Sequence, residues 1–155
     1  MDLTRLLPAT HCTLNISSDN YEDAIRQTMQ ALVDTGIVTD ANTFLGRVLK
    51  REAQISTVIG NGVAVPHARS RDITRLGLAV GILDEPIKFH EDDESEVSVI
   101  FLIAIPSFAP VAHMPLLQHI ASFVRYPKKV AKLETSKTPA AAAKYLISYK
   151  ARAKK

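Results

Sequence analysis

The sequence of 155 residues predicts an α/β (α+β) fold, a three-layer sandwich in which helices flank a mixed β-sheet. Apolar residues recur at helical spacing towards both ends of the chain, and the region between is rich in β-branched and apolar runs. Hydrophobic residues make up 46% of the sequence, enough for a chain of this length to bury a core without disulfides or metals. We therefore expect one domain over residues 1–155, with its core at about 3–148 and a basic tail at 149–155.

Two helices are predicted ahead of the β-rich region. Asp19 followed by Glu22 is typical of a capping box, and helical spacing continues to Gly36, which suits a left-handed residue after a helix. Asp40 is expected to cap the second helix, and Arg51 lies near the C-terminal end of that helix. Each helix carries an apolar stripe that can pack on a sheet.

The β-rich region supplies most of the sheet. Its run at 97–105 is almost continuously apolar, as expected for a central strand covered on both faces. The acidic stretch at 90–96 is predicted to be a solvated loop, because its spacing does not match a calcium-binding loop. Further strands are predicted at 12–16, 55–59, 77–83 and 87–89.

Helical signals return after these strands. We predict a helix over 115–125, an interruption at Pro127, and a short segment that reaches Leu133. Thr138 as N-cap and Pro139 at the first helical position open a last helix, which is expected to end at about residue 150.

The formal charge of +3 does not indicate a nucleic-acid partner. Four positive charges come from the last six residues, so the remainder of the chain carries a charge of −1. Aromatic residues make up only 6% of the sequence, and no basic run alternates with aromatic residues as in single-strand binders. We expect no nucleic-acid partner and a solvated basic tail.

The sequence also bears on cellular location. Cys12 is the only cysteine, which excludes an internal disulfide and fits a reducing compartment. No apolar run approaches the roughly 18 residues of a membrane span, and the N-terminus lacks the features of a secretory signal. We expect a cytoplasmic protein without membrane insertion.

The most informative stretch runs from Gly60 to His67. Glycines on both sides of Asn61 permit a turn with positive φ, and Gly62 allows a close approach to the backbone. Pro66 keeps the chain extended before the histidine. This predicts an imidazole at a strand end, beside backbone N–H groups, where it can act on or carry a phosphoryl group. Taken alone, the stretch is also compatible with a turn that has a purely structural role.

Several familiar sites are excluded. A third glycine and a following Lys-Ser/Thr are absent, so the turn is neither a dinucleotide fingerprint nor a P-loop. Nucleophile-elbow and His-Glu-x-x-His sequences are also absent. His113 and His119, six residues apart, would point to different faces of one helix and make a poor metal pair. We expect neither a metal nor a cofactor.

The residues suited to phosphoryl chemistry follow one another as Arg51-Glu52, Ser56-Thr57, Gly60-Asn61-Gly62, Pro66-His67 and, later, His113. This order and spacing resembles the enzyme IIA domain of the phosphotransferase system, of the mannitol/fructose type, a family that includes the nitrogen-regulatory IIA proteins. The resemblance spans roughly residues 3–148 and implies the fold of that family.

The resemblance implies a role for each matching residue. His67 falls on the phosphorylated histidine, which receives its phosphoryl group from a phosphorylated histidine carrier protein (HPr or its nitrogen-branch equivalent) and passes it to a IIB component. His113 falls on a second histidine beside the first, and Arg51 falls on an arginine that can hold phosphoryl oxygens. Thr57 matches a hydroxyl residue near the site. The Gly60-Asn61-Gly62 turn is expected to bind phosphate.

Other roles stay open at this point. Glu52 either orients Arg51 or faces water. His11, His90 and His119 match no role in the family, so a surface or core-edge position is expected for them. An apolar rim around the His67 turn is predicted to dock partners, with Ile59, Val63, Ile73 and Met114 as candidate members.

Two functions compete within the family, and a relative that has lost transfer is a third alternative. The first function is a nitrogen-type regulatory phosphoprotein, which the sequence favours slightly because it includes no fused IIB, IIC or carrier segment. The second is a sugar-transport IIA that passes the phosphoryl group to a fructose- or mannitol-type IIB component. The presence of Arg51, His67 and His113 together argues against the third alternative.

Overall fold

The computed structural model describes residues 2–150, so Arg152, Lys154 and Lys155 of the predicted basic tail lie outside the described residues. The described chain forms six α-helices, one short 3-10 helix at Ala9–His11 and six strands. The helices are α1 (Leu3–Leu6), α2 (Tyr21–Asp34), α3 (Ala41–Gln54), α4 (Met114–Val124), α5 (Pro127–Glu134) and α6 (Pro139–Ser148). The strands are β1 (Cys12–Ile16), β2 (Val58–Gly60), β3 (Val63–Ala64), β4 (His67–Ser70), β5 (Gly77–Lys88) and β6 (Glu96–Pro106).

The strands form one mixed sheet in the order β1-β5-β6-β3-β2, with β4 also paired to β6. Strand β6 is the apolar run that the sequence marks as central. It pairs antiparallel with β5, and on its other side it pairs parallel with β3 and then with β4. The predicted segment at 87–89 largely continues the long strand β5, across a register shift between Ile82 and Ile87.

Each face of the sheet is covered by its own apolar core. One core holds Phe44 of α3 and Leu32 of α2 against the sheet, and the other holds Leu116 of α4 and Leu133 of α5. Helix layers therefore lie on both sides of the strands. The predicted three-layer sandwich with a mixed sheet is confirmed.

The boundaries of α2 and α3 follow the predicted signals with two differences. Asn20, not Asp19, caps α2, because its extended backbone lets its Oδ1 accept a hydrogen bond from the N–H of Asp23 at 2.8 Å. Helix α3 begins after Asp40 as predicted, but it continues to Gln54 and shortens the strand that was expected from residue 55. Arg51 consequently lies in the last turn of α3.

Among residues 2–150, no helix is both long and apolar enough to cross a membrane.

Candidate functional site

His67 is the first residue of β4, a short strand that the sequence pattern did not predict. It lies opposite Ile103 in the parallel pairing with β6. Side chains alternate along this segment, so Val65 enters the core beneath α4 while Ala68 enters the core beneath α2 and α3. The His67 side chain therefore points to the α4 side of the sheet, and the residue is half-buried there.

A hydrogen bond to the backbone defines the tautomer of His67. Its Nδ1 lies 2.8 Å from the carbonyl oxygen of Val65. A carbonyl can only accept, so Nδ1 carries the proton in this contact. The lone pair of the neutral ring is then on Nε2, which is the nucleophilic position.

His113 lies directly beside His67. The two ring centroids are 5.8 Å apart, with 30° between the ring planes. His113 immediately precedes α4, and Pro115 occupies the first turn of that helix, where a missing N–H costs nothing. His113 is buried, and its Nδ1 has no hydrogen-bond partner among the described residues.

The surroundings of His113 keep its ring neutral. Burial, and then electrostatic interactions with His67 and Arg69, lower the pKa of His113 below its ordinary value of 6.5. An arriving anion would reverse this effect, because a nearby negative charge favours the protonated ring.

This shift predicts a pH dependence of stability. Below about pH 6.5 the unfolded chain binds a proton at residue 113 that the folded protein does not, so the free energy of unfolding falls as the pH is lowered towards the folded pKa of His113. Denaturant unfolding at about pH 7.5 and about pH 5.5 measures this loss. His113→Gln should lose less stability over this interval than the wild type. An equal loss in both proteins would contradict the shift.

Arg51 reaches the same site from the opposite layer. The last turn of α3 and the edge strand β4 form a cleft that includes Arg51, His67 and Ile105. The Arg51 guanidinium donates a hydrogen bond from Nη1 to the carbonyl oxygen of Ile55 at 2.9 Å, which holds the side chain at the end of its own helix. Arg51, His67 and His113 thus come together around one edge of the sheet.

The cleft is strongly cationic. Arg47, Lys50, Arg51 and Arg69 line it, and no carboxylate does so among the described residues. None of these four cations makes a salt bridge within residues 2–150. Such a surface attracts an anionic group to His67.

Arg69 is a further residue of the candidate site, and the sequence pattern did not reveal it. It lies two residues after His67, so both side chains project from the same face of β4. Its Nε donates a hydrogen bond to the carbonyl oxygen of Pro110 at 2.7 Å, and its charge acts on His113. An alternating strand pattern over 67–70 was the signal that could have revealed it.

Glu52 and Thr57 lie beneath this site and face each other. The buried Glu52 carboxylate accepts hydrogen bonds from both the backbone N–H and the hydroxyl of Thr57. It also pairs with the Nε2 of His90 at 2.9 Å. Glu52 therefore neither pairs with Arg51 nor faces water, and the Thr57 hydroxyl is occupied by the carboxylate.

The Gly60-Asn61-Gly62 turn adopts positive φ at all three residues, as its composition predicts. The structure does not bring it to the ring of His67, however. The carbonyl of Gly62 accepts from Ser98, whereas His67 lies beside Ile103, which places them roughly 15 Å apart along β6. The Asn61 amide instead donates to the carbonyl of Val124 at the end of α4. The turn therefore has no part in the site proposed below.

The predicted apolar rim needs correction. Val63 and Ile73 are buried in the two cores, because β3 and the segment after β4 pack beneath the helices. Ile59 and Met114 are exposed, as predicted. The most exposed large apolar side chains in the segment before α4 are Phe108 and Val111, which are 76% and 66% exposed.

The remaining histidines lie away from the cleft. His11 is buried, with its Nδ1 near the carbonyl oxygens of Leu6 and Leu78. His119 packs against Tyr149 on the far side of α4. Residues 2–150 include no group of three side chains arranged to hold a metal ion.

The chain is similar in fold to solved structures of phosphotransferase-system IIA proteins. The nitrogen regulatory protein IIA-Ntr from Neisseria meningitidis superposes with a TM-score of 0.83 over 93% of this chain and 98% of its own, at 23% identity. IIA mannitol from Escherichia coli superposes with a TM-score of 0.77 over 90% and 98% of the two chains, at 20% identity.

The sequence itself carries the family assignment. Residues 5–149 match the family described as "Phosphoenolpyruvate-dependent sugar phosphotransferase system, EIIA 2". The chain belongs to this family, and the resemblance drawn from its motifs is confirmed.

Its relatives include both branches of the family. The 2-O-alpha-mannosyl-D-glycerate-specific EIIABC component of Escherichia coli is 31% identical over 90% of this chain, which spans only 21% of that protein's length. The nitrogen regulatory protein of Pseudomonas aeruginosa is 28% identical over 79% of each chain. The fructose-specific EIIA component of Haloferax volcanii is 26% identical over 77% of this chain and 78% of its own.

Proposed function

We propose that this protein is a phosphocarrier that accepts a phosphoryl group on Nε2 of His67 from a phosphorylated histidine carrier protein of the HPr type. One observation carries the proposal: the Nδ1–H of His67 is bonded to the Val65 carbonyl, which leaves Nε2 free at the edge of a cationic cleft. Membership of the EIIA family supports the same chemistry.

The transfer needs alignment and charge stabilisation, and neither a metal nor a cofactor. Nε2 of His67 attacks phosphorus, the N–P bond of the donor breaks, and its electron pair returns to the donor's ring nitrogen. The proton on Nδ1 stays on the ring, where the Val65 carbonyl stabilises the positive charge that develops. The guanidinium of Arg51, which lines the same cleft as His67, would hold phosphoryl oxygens as the group moves.

His113 would stabilise the phosphoryl group in addition to Arg51. Its ring lies beside that of His67 and is neutral before transfer. The incoming phosphoryl charge favours a protonated ring, which can then donate a hydrogen bond to a phosphoryl oxygen. Removal of the His113 side chain should therefore slow transfer without abolishing it, because His113 is not the acceptor in this proposal.

The test is reconstitution with purified components. The protein is incubated with phosphoenolpyruvate, enzyme I and the carrier protein, and the label is located by peptide mass spectrometry under alkaline conditions. We expect an acid-labile phosphoramidate on His67. A label on another residue, or none with an active donor, would overturn the proposal.

For the step after acceptance, we infer a nitrogen-type regulatory role. The nitrogen regulatory relative from Pseudomonas aeruginosa matches over most of both chains. A phosphoryl group would change the charge of the His67 cleft and thereby the affinity of this surface for a protein target. A cytoplasmic location, which the single cysteine supports, suits such a role.

Sugar transport is the second candidate, because sugar-specific relatives match just as extensively. Incubating the phosphorylated protein with a fructose- or mannitol-type IIB component distinguishes the two. Rapid loss of label to IIB supports transport. Retention of the label, together with target binding that depends on phosphorylation, supports regulation.

A further inference from the structure

A fully buried carboxylate lies one residue after Arg51 and has no role in the transfer described above. The Glu52 side chain has no exposed surface, and its two oxygens accept from the Thr57 N–H, the Thr57 hydroxyl and the His90 ring. A buried carboxylate is costly unless it is paired and hydrogen-bonded, and this one is bonded at both oxygens.

These bonds connect Glu52 to the phosphoacceptor through the backbone. The N–H of Thr57 is bonded to Glu52 at 2.8 Å, and the carbonyl of the same residue accepts from the N–H of Val65 at 3.0 Å. The carbonyl of Val65 then accepts from Nδ1 of His67 at 2.8 Å. Each contact fixes a peptide group that shares its Cα atom with the peptide group making the next contact.

We propose that Glu52 is a positioning residue for His67, and that His90 holds the Glu52 carboxylate in place. By fixing Thr57, the carboxylate holds the backbone of Val65, whose carbonyl keeps the proton of the neutral ring on Nδ1. When that carbonyl shifts, the competing tautomer carries its proton on Nε2 and cannot attack phosphorus through that nitrogen. The proposal rests on the phosphocarrier function, but the tautomer itself can be measured without any donor.

The linkage also explains why two separate elements converge on this carboxylate. Glu52 lies in α3, whereas His90 follows β5 and begins the acidic loop. The His90 side chain is 21% exposed, so the contact seals the outer side of the carboxylate. Apolar residues of similar size could fill the same space, which points to a need for defined hydrogen bonds.

The experiment compares His90→Gln and Glu52→Gln with Val48→Ala. Val48 is a buried residue one turn earlier in the same helix, so its truncation lowers stability without touching the hydrogen bonds. Long-range ¹H–¹⁵N NMR spectra at about pH 8, where histidine rings are neutral, report the proton position on His67. Labelling by a phosphorylated carrier gives the rate as a function of donor concentration.

We expect both network variants to reduce the Nδ1–H tautomer of His67 and to lower the maximal labelling rate by about tenfold, with little change in the donor concentration at half-maximal rate. Val48→Ala should lower the unfolding midpoint but leave the tautomer unchanged. A wild-type tautomer and rate in folded His90→Gln would overturn the proposal, as would an equal tautomer shift in Val48→Ala.

A further pair of variants serves if Glu52→Gln does not fold. Thr57→Ser keeps the hydroxyl and should retain the wild-type tautomer, whereas Thr57→Val removes it and should behave like the network variants. Equal behaviour of the two would contradict the proposal. If the variants shift the His67 tautomer but no carrier labels the wild-type protein, Glu52 would keep its positioning role and the phosphocarrier function would be wrong.

Discussion

His67→Gln should abolish labelling by a phosphorylated carrier protein while the fold survives. The substituted side chain offers a neutral amide whose nitrogen lone pair is delocalised, so it has no nucleophile to replace Nε2. His67 is half-buried on an edge strand, and its side chain donates one hydrogen bond, to the carbonyl of Val65, which contributes about 1 kcal/mol. We therefore expect a small loss of stability. Radiolabel incorporation and a thermal melt measure the two effects.

The matched control is His119→Gln, which removes a histidine from the far side of α4. This variant should be labelled at the wild-type rate. Label that persists in His67→Gln at a second histidine would assign the acceptor elsewhere, and His113 is the residue to examine first because its ring is adjacent.

Arg51→Gln should slow labelling by about 10²-fold without abolishing it. The loss corresponds to the removal of a preorganised donor that stabilises charge in the transition state. Stopped-flow or rapid-quench measurement of phosphoryl transfer gives the rate directly. Since Arg51 is bonded only to a backbone carbonyl in its own helix end, its removal should alter stability little.

Comparison with Arg47→Gln shows whether Arg51 acts on the phosphoryl group by hydrogen bonding or only through its positive charge. Arg47 lies one turn earlier in α3 and lines the same cleft, so both variants remove one positive charge. We expect Arg47→Gln to reduce only the association rate, by a few-fold and in a salt-dependent way. If the two variants were equally slow at high salt, Arg51 would contribute charge alone.

The sequence predicted most of the fold because its local signals were strong. Asp40 caps α3, and Gly36 adopts a positive φ after α2, as their residue types require. The nearly continuous apolar run became the central strand β6. Strands β3 and β4 escaped prediction because they have only two and four residues, and their pairing with β6 is a long-range contact that leaves no periodic signal.

The site was predicted unevenly for related reasons. His67, His113 and Arg51 were predicted from the spacing of a family motif, and they lie around one edge of the sheet. Arg69 was missed because an exposed arginine in isolation is indistinguishable from an ordinary solvated side chain. The burial of Glu52 was equally hidden, since its partner His90 is 38 residues away.

The assembly of the site from both sides of the sheet has a consequence for partly folded chains. Arg51 comes from the helix layer on one face, His113 from the layer on the other, and His67 from the edge between them. Detachment of either layer would separate Arg51 or His113 from His67 even if the strands stayed paired. Under the proposed function, phosphoryl acceptance would require the intact tertiary structure, and labelling should be lost in step with cooperative unfolding.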